Sequence, residues 1–179
     1  LSGAVSGNGG VTVGTSALAL TGGFNLGGAT AINSGTQLIL AGAGGTISGD
    51  VVDNGSLVAQ SSSEVSLSGA VSGAGGVTVS TGSLTLSGSY NYTGATTIST
   101  ATQLNLGGTG GTLAGDVIDG GSLVANSSGT ATLSGNLSGS GGVTVNSGTL
   151  ALTGTYTYAG TSTINAGTLS LGGAGGTLG

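Results

Sequence analysis

Apolar and polar residues alternate along short stretches of this chain, so that every second side chain is apolar. Leu84 and Leu86 show this spacing, and Val143 and Val145 repeat it further along. A period of two is typical of a β-strand, because successive side chains of a strand point to opposite faces. Glycine interrupts the pattern every five to eight residues and supplies corners where the backbone can take a positive φ. The pattern predicts an all-β protein of short strands and tight corners.

The same stretch of sequence opens three successive units. LSGAVSGNGGVTV begins at residue 1, LSGAVSGAGGVTV at residue 67 and LSGNLSGSGGVTV at residue 133. The repeat therefore has a 66-residue period, and the first two units share 40 identical positions. The third unit is partial and lacks one residue near Ala166. We therefore expect a single repetitive segment, 1–179, composed of units 1–66, 67–132 and 133–179.

A shorter leucine motif, G/S-x-L-x-L/A, recurs along the chain with 20-, 19- and 27-residue intervals. A recurrence of this length predicts a β-solenoid, in which parallel coils stack about 4.8 Å apart. The motif predicts about eight coils, three for each 66-residue unit, with the leading leucines in one core column. The extra residues of each 27-residue interval are expected in enlarged corners or arms near Ser61–Ser66 and Ser127–Thr132. The leading leucines are Leu18, Leu38, Leu57, Leu84, Leu104, Leu123, Leu150 and Leu169.

Residues 141–173 read GGVTVNSGTLALTGTYTYAGTSTINAGTLSLGG and combine two G-T-L-x-L strands, a Tyr-x-Gly corner and the strand TSTIN. This stretch resembles the autotransporter-associated β-strand repeat of bacterial surface proteins, and residues 75–106 and 9–40 match that repeat more loosely. The resemblance implies a right-handed parallel β-helix in an autotransporter passenger region. It also implies export through an outer membrane, by a translocator outside this chain, and an extracellular location on the bacterial cell surface.

The composition excludes several classes of function. Gly, Ser and Thr make up 96 of the 179 residues, and Lys, Arg, His, Cys, Pro, Met and Trp are absent. Without a cationic side chain, the protein cannot neutralise the phosphates of a nucleic acid. Without His or Cys, it cannot form the usual zinc sites or the common nucleophile–base pairs. We expect no enzyme activity, no catalytic residue and no cofactor. A mean hydropathy of +0.43 argues against a disordered linker.

Four of the five acidic residues form two pairs, in the sequences GDVVD and GDVID. Asp50 and Asp53 make the first pair, and Asp116 and Asp119 make the second. Carboxylates are calcium ligands, but the tandem nonapeptide of the calcium-binding β-roll is absent. The pairs are three predicted coils apart and cannot share one ion. Corner capping is the favoured interpretation and calcium binding the minor alternative. A catalytic carboxylate pair is disfavoured, because an active site is rarely built twice.

Aromatic residues occupy matching positions in the three units. Phe24, Tyr90 and Tyr156 are equivalent, and Tyr92 and Tyr158 occupy a second such position. A row of exposed aromatic rings could stack on sugars, but the phenylalanine in the first unit conserves only hydrophobic bulk. Packing in the core or at corners is therefore the favoured interpretation. Threonine-rich solenoids can also bind ice, but the unequal intervals break the regular lattice that ice binding needs.

These observations favour a structural segment, such as a stalk or filament shaft, of a secreted bacterial surface protein. The alternative is an adhesin module that binds host, glycan or neighbouring-cell ligands. Leu1 opens directly in the repeat motif and Gly179 ends without a cap, so we expect a fragment of a longer array. Further coils of the same array would stack end to end on this segment, and lateral or head-to-tail self-association is left open. No nucleic-acid partner is expected.

Overall fold

The chain folds entirely into strands and corners, in a computed structural model that describes all residues from 1 to 179. It contains no helix, and hence none long and apolar enough to cross a membrane. The first eleven strands are β1 (Val5–Gly7), β2 (Val11–Val13), β3 (Ala17–Leu20), β4 (Phe24–Leu26), β5 (Thr30–Ile32), β6 (Gln37–Gly42), β7 (Gly45–Ile47), β8 (Val51–Asp53), β9 (Ser56–Leu67), β10 (Val71–Gly73) and β11 (Gly76–Leu86). The remaining strands are β12 (Tyr90–Tyr92), β13 (Thr96–Ile98), β14 (Gln103–Leu106), β15 (Gly110–Leu113), β16 (Val117–Asp119), β17 (Ser122–Leu133), β18 (Leu137–Gly139), β19 (Gly142–Leu152), β20 (Thr155–Tyr158), β21 (Ser162–Ile164), β22 (Thr168–Leu171) and β23 (Gly175–Thr177).

Every strand pairs in parallel with a strand one turn before or after it along the chain. Val5 pairs with Phe24, and Phe24 pairs with Gly45, so successive turns are of nearly equal length. The long strands β9, β11, β17 and β19 pass through a corner and contribute a segment to each of two faces. The 23 strands thus supply three segments to each of nine turns. The predicted parallel β-solenoid is confirmed, with nine turns where about eight were expected. Its right-handed sense stays a prediction.

The solenoid has three faces, which we name A, B and C after the strands β1, β2 and β3 that begin them. Each 66-residue unit contains ten strand segments and therefore makes three and a third turns, not three. Leu57 pairs with Val77, whereas Leu84 pairs with Val65. The predicted single column of leucines is therefore wrong. The leading leucines divide into three columns: Leu18, Leu38 and Leu57 on face C, Leu84, Leu104 and Leu123 on face A, and Leu150 and Leu169 on face B.

The predicted arms near Ser61–Ser66 and Ser127–Thr132 are also wrong. Both stretches lie within the continuous strands β9 and β17, which pair with the turns on either side. Each 27-residue interval contains one ordinary turn of three strand segments plus one further segment. The next leading leucine therefore lies on the following face of the solenoid. This arrangement keeps the turn length nearly constant and returns the chain to the ladder on the next face, at Glu64–Leu67 and Thr130–Leu133.

One continuous hydrophobic core runs along the axis and contains 36 buried residues. Tyr90, Tyr92 and Tyr158 are among its largest side chains, Phe24 is 4% exposed and Tyr156 is 7% exposed. The prediction that the aromatic rings pack inside is confirmed. The predicted alternation also holds, since Ile98 is buried while its neighbour Thr97 is only half-buried, on the outward side.

Most outward positions carry small polar side chains, some of which bond to the turn below. Asn105 donates through Nδ2 to Oγ1 of Thr85 over 3.2 Å, and Thr85 donates to Oε1 of Glu64 over 2.6 Å. These bonds join three successive turns on face A. They add side-chain links to the backbone ladder on the outside of the solenoid.

Replacing Ala101 with glycine is expected to raise the free energy of unfolding by about 0.5–1 kcal/mol. Ala101 has a φ of 60°, and the equivalent positions in the other units are Gly35 and Gly167, also at positive φ. A left-handed conformation costs a residue with a Cβ about 1–2 kcal/mol, which exceeds the entropic cost of glycine. Urea unfolding followed by circular dichroism measures the change. Ala95→Gly is the control and should destabilise slightly; a loss of stability in Ala101→Gly would contradict the strain argument.

Candidate functional site

Two of the four paired aspartates are buried in the solenoid. Asp53 and Asp119 are 0% exposed and occupy the last positions of β8 and β16. The amide N–H of Gly55 donates to Oδ1 of Asp53 over 2.9 Å, and that of Gly121 donates to Oδ1 of Asp119 over 3.0 Å. Oδ2 of each carboxyl group is buried without a partner. Burial raises the pKa of both side chains to about 6, because desolvation disfavours the charged form.

The other two aspartates lie outside, at corners. Oδ1 of Asp50 accepts a hydrogen bond from the amide of Ala70, and Oδ1 of Asp116 accepts one from the amide of Asn136, each over 2.8 Å. Each bond joins one turn to the next, so the predicted corner capping is confirmed for this outer pair.

The structure does not bring the four aspartates together. Asp50 and Asp53 belong to face B, and Asp116 and Asp119 to face C three turns further on. No group of three or more His, Cys, Asp or Glu side chains is placed where it could hold a metal ion. The acids therefore divide into two external caps and two isolated internal carboxyls.

A hydroxyl pair at the edge of the core, fully buried in the second unit, recurs in the third unit but is broken in the first. Tyr92 Oη lies 2.8 Å from Oγ1 of Thr96, and Tyr158 Oη lies 2.7 Å from Oγ of Ser162. In the first unit, leucine stands in place of the tyrosine at position 26. The equivalent hydroxyl, Oγ1 of Thr30, is buried and has no partner. The protein thus contains both a satisfied and an unsatisfied copy of the same core position.

Replacing each of these threonines with valine is expected to give different outcomes. Thr96→Val leaves the Tyr92 hydroxyl unpaired and should lower the free energy of unfolding by about 1–3 kcal/mol. Thr30→Val removes a hydroxyl that is already unpaired, so stability should stay the same or rise by up to about 1 kcal/mol. Urea midpoints of the two variants measure the difference. Equal losses would show that the Tyr92–Thr96 bond does not stabilise the fold.

Two open grooves lie at corners of the solenoid and have equivalent positions in the repeat. The first groove, of about 690 Å³, lies where face B meets face C. The second groove, of about 570 Å³, lies where face C meets face A. Each contains a single hydrophobic lining residue. Most lining positions of the two grooves are related by the 66-residue period. The first groove is lined by residues 16–17, 34–37 and 54–56, and the second by residues 62–64, 82–83, 101–103 and 120–122.

Buried threonines fix the turn that forms each groove. The Thr36 hydroxyl donates to the carbonyl oxygens of Val13 and Asn33 over 3.0 and 2.7 Å. Thr102 makes the same pair of bonds in the second groove. The following residues, Gln37 and Gln103, are partly exposed and line the grooves. Their side-chain amides are therefore the polar groups offered outward.

The grooves were not predicted from the sequence. The signal available was the spacing of the glutamines, because Gln37 and Gln103 are two of only three in the chain and are one repeat period apart. The expectation of no catalytic residue and no cofactor stays a prediction. Neither groove is lined by a histidine, cysteine, lysine or arginine.

Comparison with known families agrees with this repeat architecture. The passenger-associated-transport-repeat model matches residues 80–102, 123–152 and 146–171. Three segments of the chain are therefore similar to the passenger-associated-transport repeat. The matched segments lie in the second and third units and run from β11 to β13 and from β17 to β22. The resemblance to an autotransporter passenger repeat is thereby confirmed. No curated protein and no solved structure matches the chain.

Proposed function

We propose that this β-solenoid is a rigid shaft within the passenger region of a secreted protein on the bacterial cell surface. The observation that carries the proposal is the unbroken core, which extends from Val13 to Tyr158. Parallel pairing joins every turn to the next along the same axis. Because no flexible linker interrupts the stack, bending would have to strain hydrogen bonds and core packing together. The segment is suited to hold other parts of a protein away from the cell.

A mechanical role also agrees with the surface chemistry. The aromatic rings are buried, so the outside offers no stacking platform for a substrate. The chain has no histidine, cysteine, lysine or arginine, and the buried aspartates are separated from each other. We propose that the segment has no catalytic activity, that further turns of the same array are its neighbours at both ends, and that an outer-membrane translocator outside this chain exports it.

A tandem duplication tests the shaft. Inserting a second copy of residues 67–132 after residue 132 adds ten strand segments, or three and a third turns. At about 4.8 Å per turn, a rigid shaft should lengthen by roughly 16 Å. Small-angle X-ray scattering measures the maximum dimension and the cross-section of both chains. An unchanged cross-section with the added length supports the shaft. A smaller increase accompanied by a wider cross-section would contradict it.

The second candidate is the adhesin module, and the paired grooves favour it. Two polar depressions at equivalent repeat positions give the surface a regular feature that a uniform shaft does not need. A shaft and a ligand-binding surface are compatible, because binding at corners leaves the core unchanged.

A further inference from the structure

The 66-residue unit does not correspond to a whole number of turns, and this difference determines where equivalent surface features lie. Each unit contains ten strand segments, and each turn of the solenoid contains three. A position in one unit and its equivalent in the next unit therefore lie on neighbouring faces. The first groove lies at the corner between faces B and C, and the second at the corner between faces C and A. Successive grooves are therefore rotated by one third of a turn and separated by roughly 16 Å along the axis.

We propose that each of the two complete 66-residue units carries one binding site for a neutral oligosaccharide in this groove, and that the second site is rotated around the shaft relative to the first. This inference rests on the adhesin candidate above. Both grooves are open toward solvent rather than enclosed. Both are preorganised, because the hydroxyl bonds of Thr36 and Thr102 fix the turns before any ligand arrives.

The lining favours hydroxyl-rich ligands. The side-chain amides of Gln37 and Gln103 offer both donors and acceptors, and sugar hydroxyls complement both. Serines such as Ser56 and Ser122 add further hydroxyl groups at the same edge. Each groove thus presents a glutamine amide and a serine hydroxyl at equivalent positions, although the two grooves are on different sides of the solenoid.

The charges argue for an uncharged sugar. The chain has no cation to pair with a carboxylate or sulfate, and its net charge is −5. Glu64 lines only the second groove, where its Oε1 already accepts from Thr85. A cationic ligand would therefore distinguish the grooves, whereas a neutral one would bind both alike.

A glycine in each groove lets two successive turns approach each other closely. A Cβ at Gly55 would collide with the carbonyl oxygens of Thr36 and Asn33, and one at Gly121 would collide with those of Thr102 and Ser99. The backbone of the next turn therefore approaches the threonine turn so closely that a residue with a Cβ would not fit there.

The three glutamines allow a direct test by nuclear magnetic resonance. The ¹⁵N-labelled chain is titrated with maltohexaose, laminarihexaose and α-mannohexaose, and the three glutamine side-chain amides are followed. At least one probe should shift the Gln37 and Gln103 signals along parallel curves. Gln60, which lines neither groove, should stay unshifted. No shift with any probe, or an equal shift of Gln60, would overturn the proposal.

Variants separate the two sites. Gln37→Ala should weaken binding at the first groove at least tenfold and leave the second intact, and Gln103→Ala should do the reverse. The double variant should lose binding at both, and Gln60→Ala should bind as the unmodified chain does. Undiminished binding by the double variant overturns the proposal, as does preferential binding of chitosan hexamer at the second groove. Neither result would change the length measured by scattering, so failure of the glycan site would not contradict the proposed shaft.

Discussion

Replacing Leu104 with aspartate is expected to lower the free energy of unfolding by at least about 4 kcal/mol. Leu104 is 0% exposed and stacks between Leu84 and Leu123 of the adjoining turns. Truncating a buried leucine alone costs about 2–5 kcal/mol, and an unpaired buried carboxylate adds several more. Circular dichroism during urea titration follows the loss of strand structure. We expect a greatly lowered midpoint, or a chain already unfolded in water.

Thr97→Asp is the matched control, because the same charge is introduced on the outward side. Thr97 pairs with Thr78 and Ile118, whose side chains also point away from the core. Surface substitutions usually change stability by no more than about 0.5 kcal/mol. Similar losses in the two variants would contradict the assignment of inward and outward positions. A third variant, Thr112→Asp on face B, extends the same control to another side of the solenoid.

Local patterning predicted the strands and the parallel stack because it reports which side of a strand is buried. It did not predict which strands are neighbours. Leu57 and Leu84 begin the same motif, yet they lie on different faces. A 27-residue interval between leucine motifs is compatible with a protruding arm on a 20-residue coil. It is equally compatible with a 20-residue coil followed by one additional strand segment on the next face. Only strand pairing decides between the two, and it places both ends of β9 in ladders on two different faces.

The functional features were predicted unevenly for a similar reason. Corner capping by Asp50 and Asp116 follows from short-range glycine and aspartate patterns, and the structure confirms it. The burial of Asp53 could have been predicted from the alternation of inward and outward side chains along a strand, because Asp53 lies two residues after the buried Val51. It was missed because a carboxylate is rarely assigned to a core. The grooves depend on contacts between turns, which no single stretch of sequence encodes.

The buried carboxyls predict an unusual dependence of stability on pH. Asp53 and Asp119 have a pKa of about 6 in the folded protein and an ordinary value of 3.8 when unfolded. Between these values the folded state holds more protons than the unfolded state, so stability falls as the pH rises. The loss is about 1.4 kcal/mol per pH unit for each group, or about 3 kcal/mol for each carboxyl over the whole range.

We therefore expect the free energy of unfolding to be highest near pH 4, to fall until about pH 6 and to be constant above about pH 7. Burial raises the pKa of Tyr92 and of Tyr158, so these neighbouring hydroxyls stay neutral throughout. Urea unfolding at intervals between pH 3.5 and 8 measures the curve. Stability that rises over this range would contradict the prediction, because it would mean that the folded state favours the charged carboxylates.

Asparagine variants assign the pH dependence to the two buried positions. An asparagine resembles the protonated aspartic acid in shape, and its Oδ1 can still accept the amide bond from Gly55 or Gly121. Asp53→Asn should raise stability at pH 7 and remove about half of the fall between pH 4 and 6. The double variant with Asp119→Asn should remove nearly all of it. Asp50→Asn, at an exposed corner, should leave the fall in place, since its carboxylate remains in contact with solvent in both states.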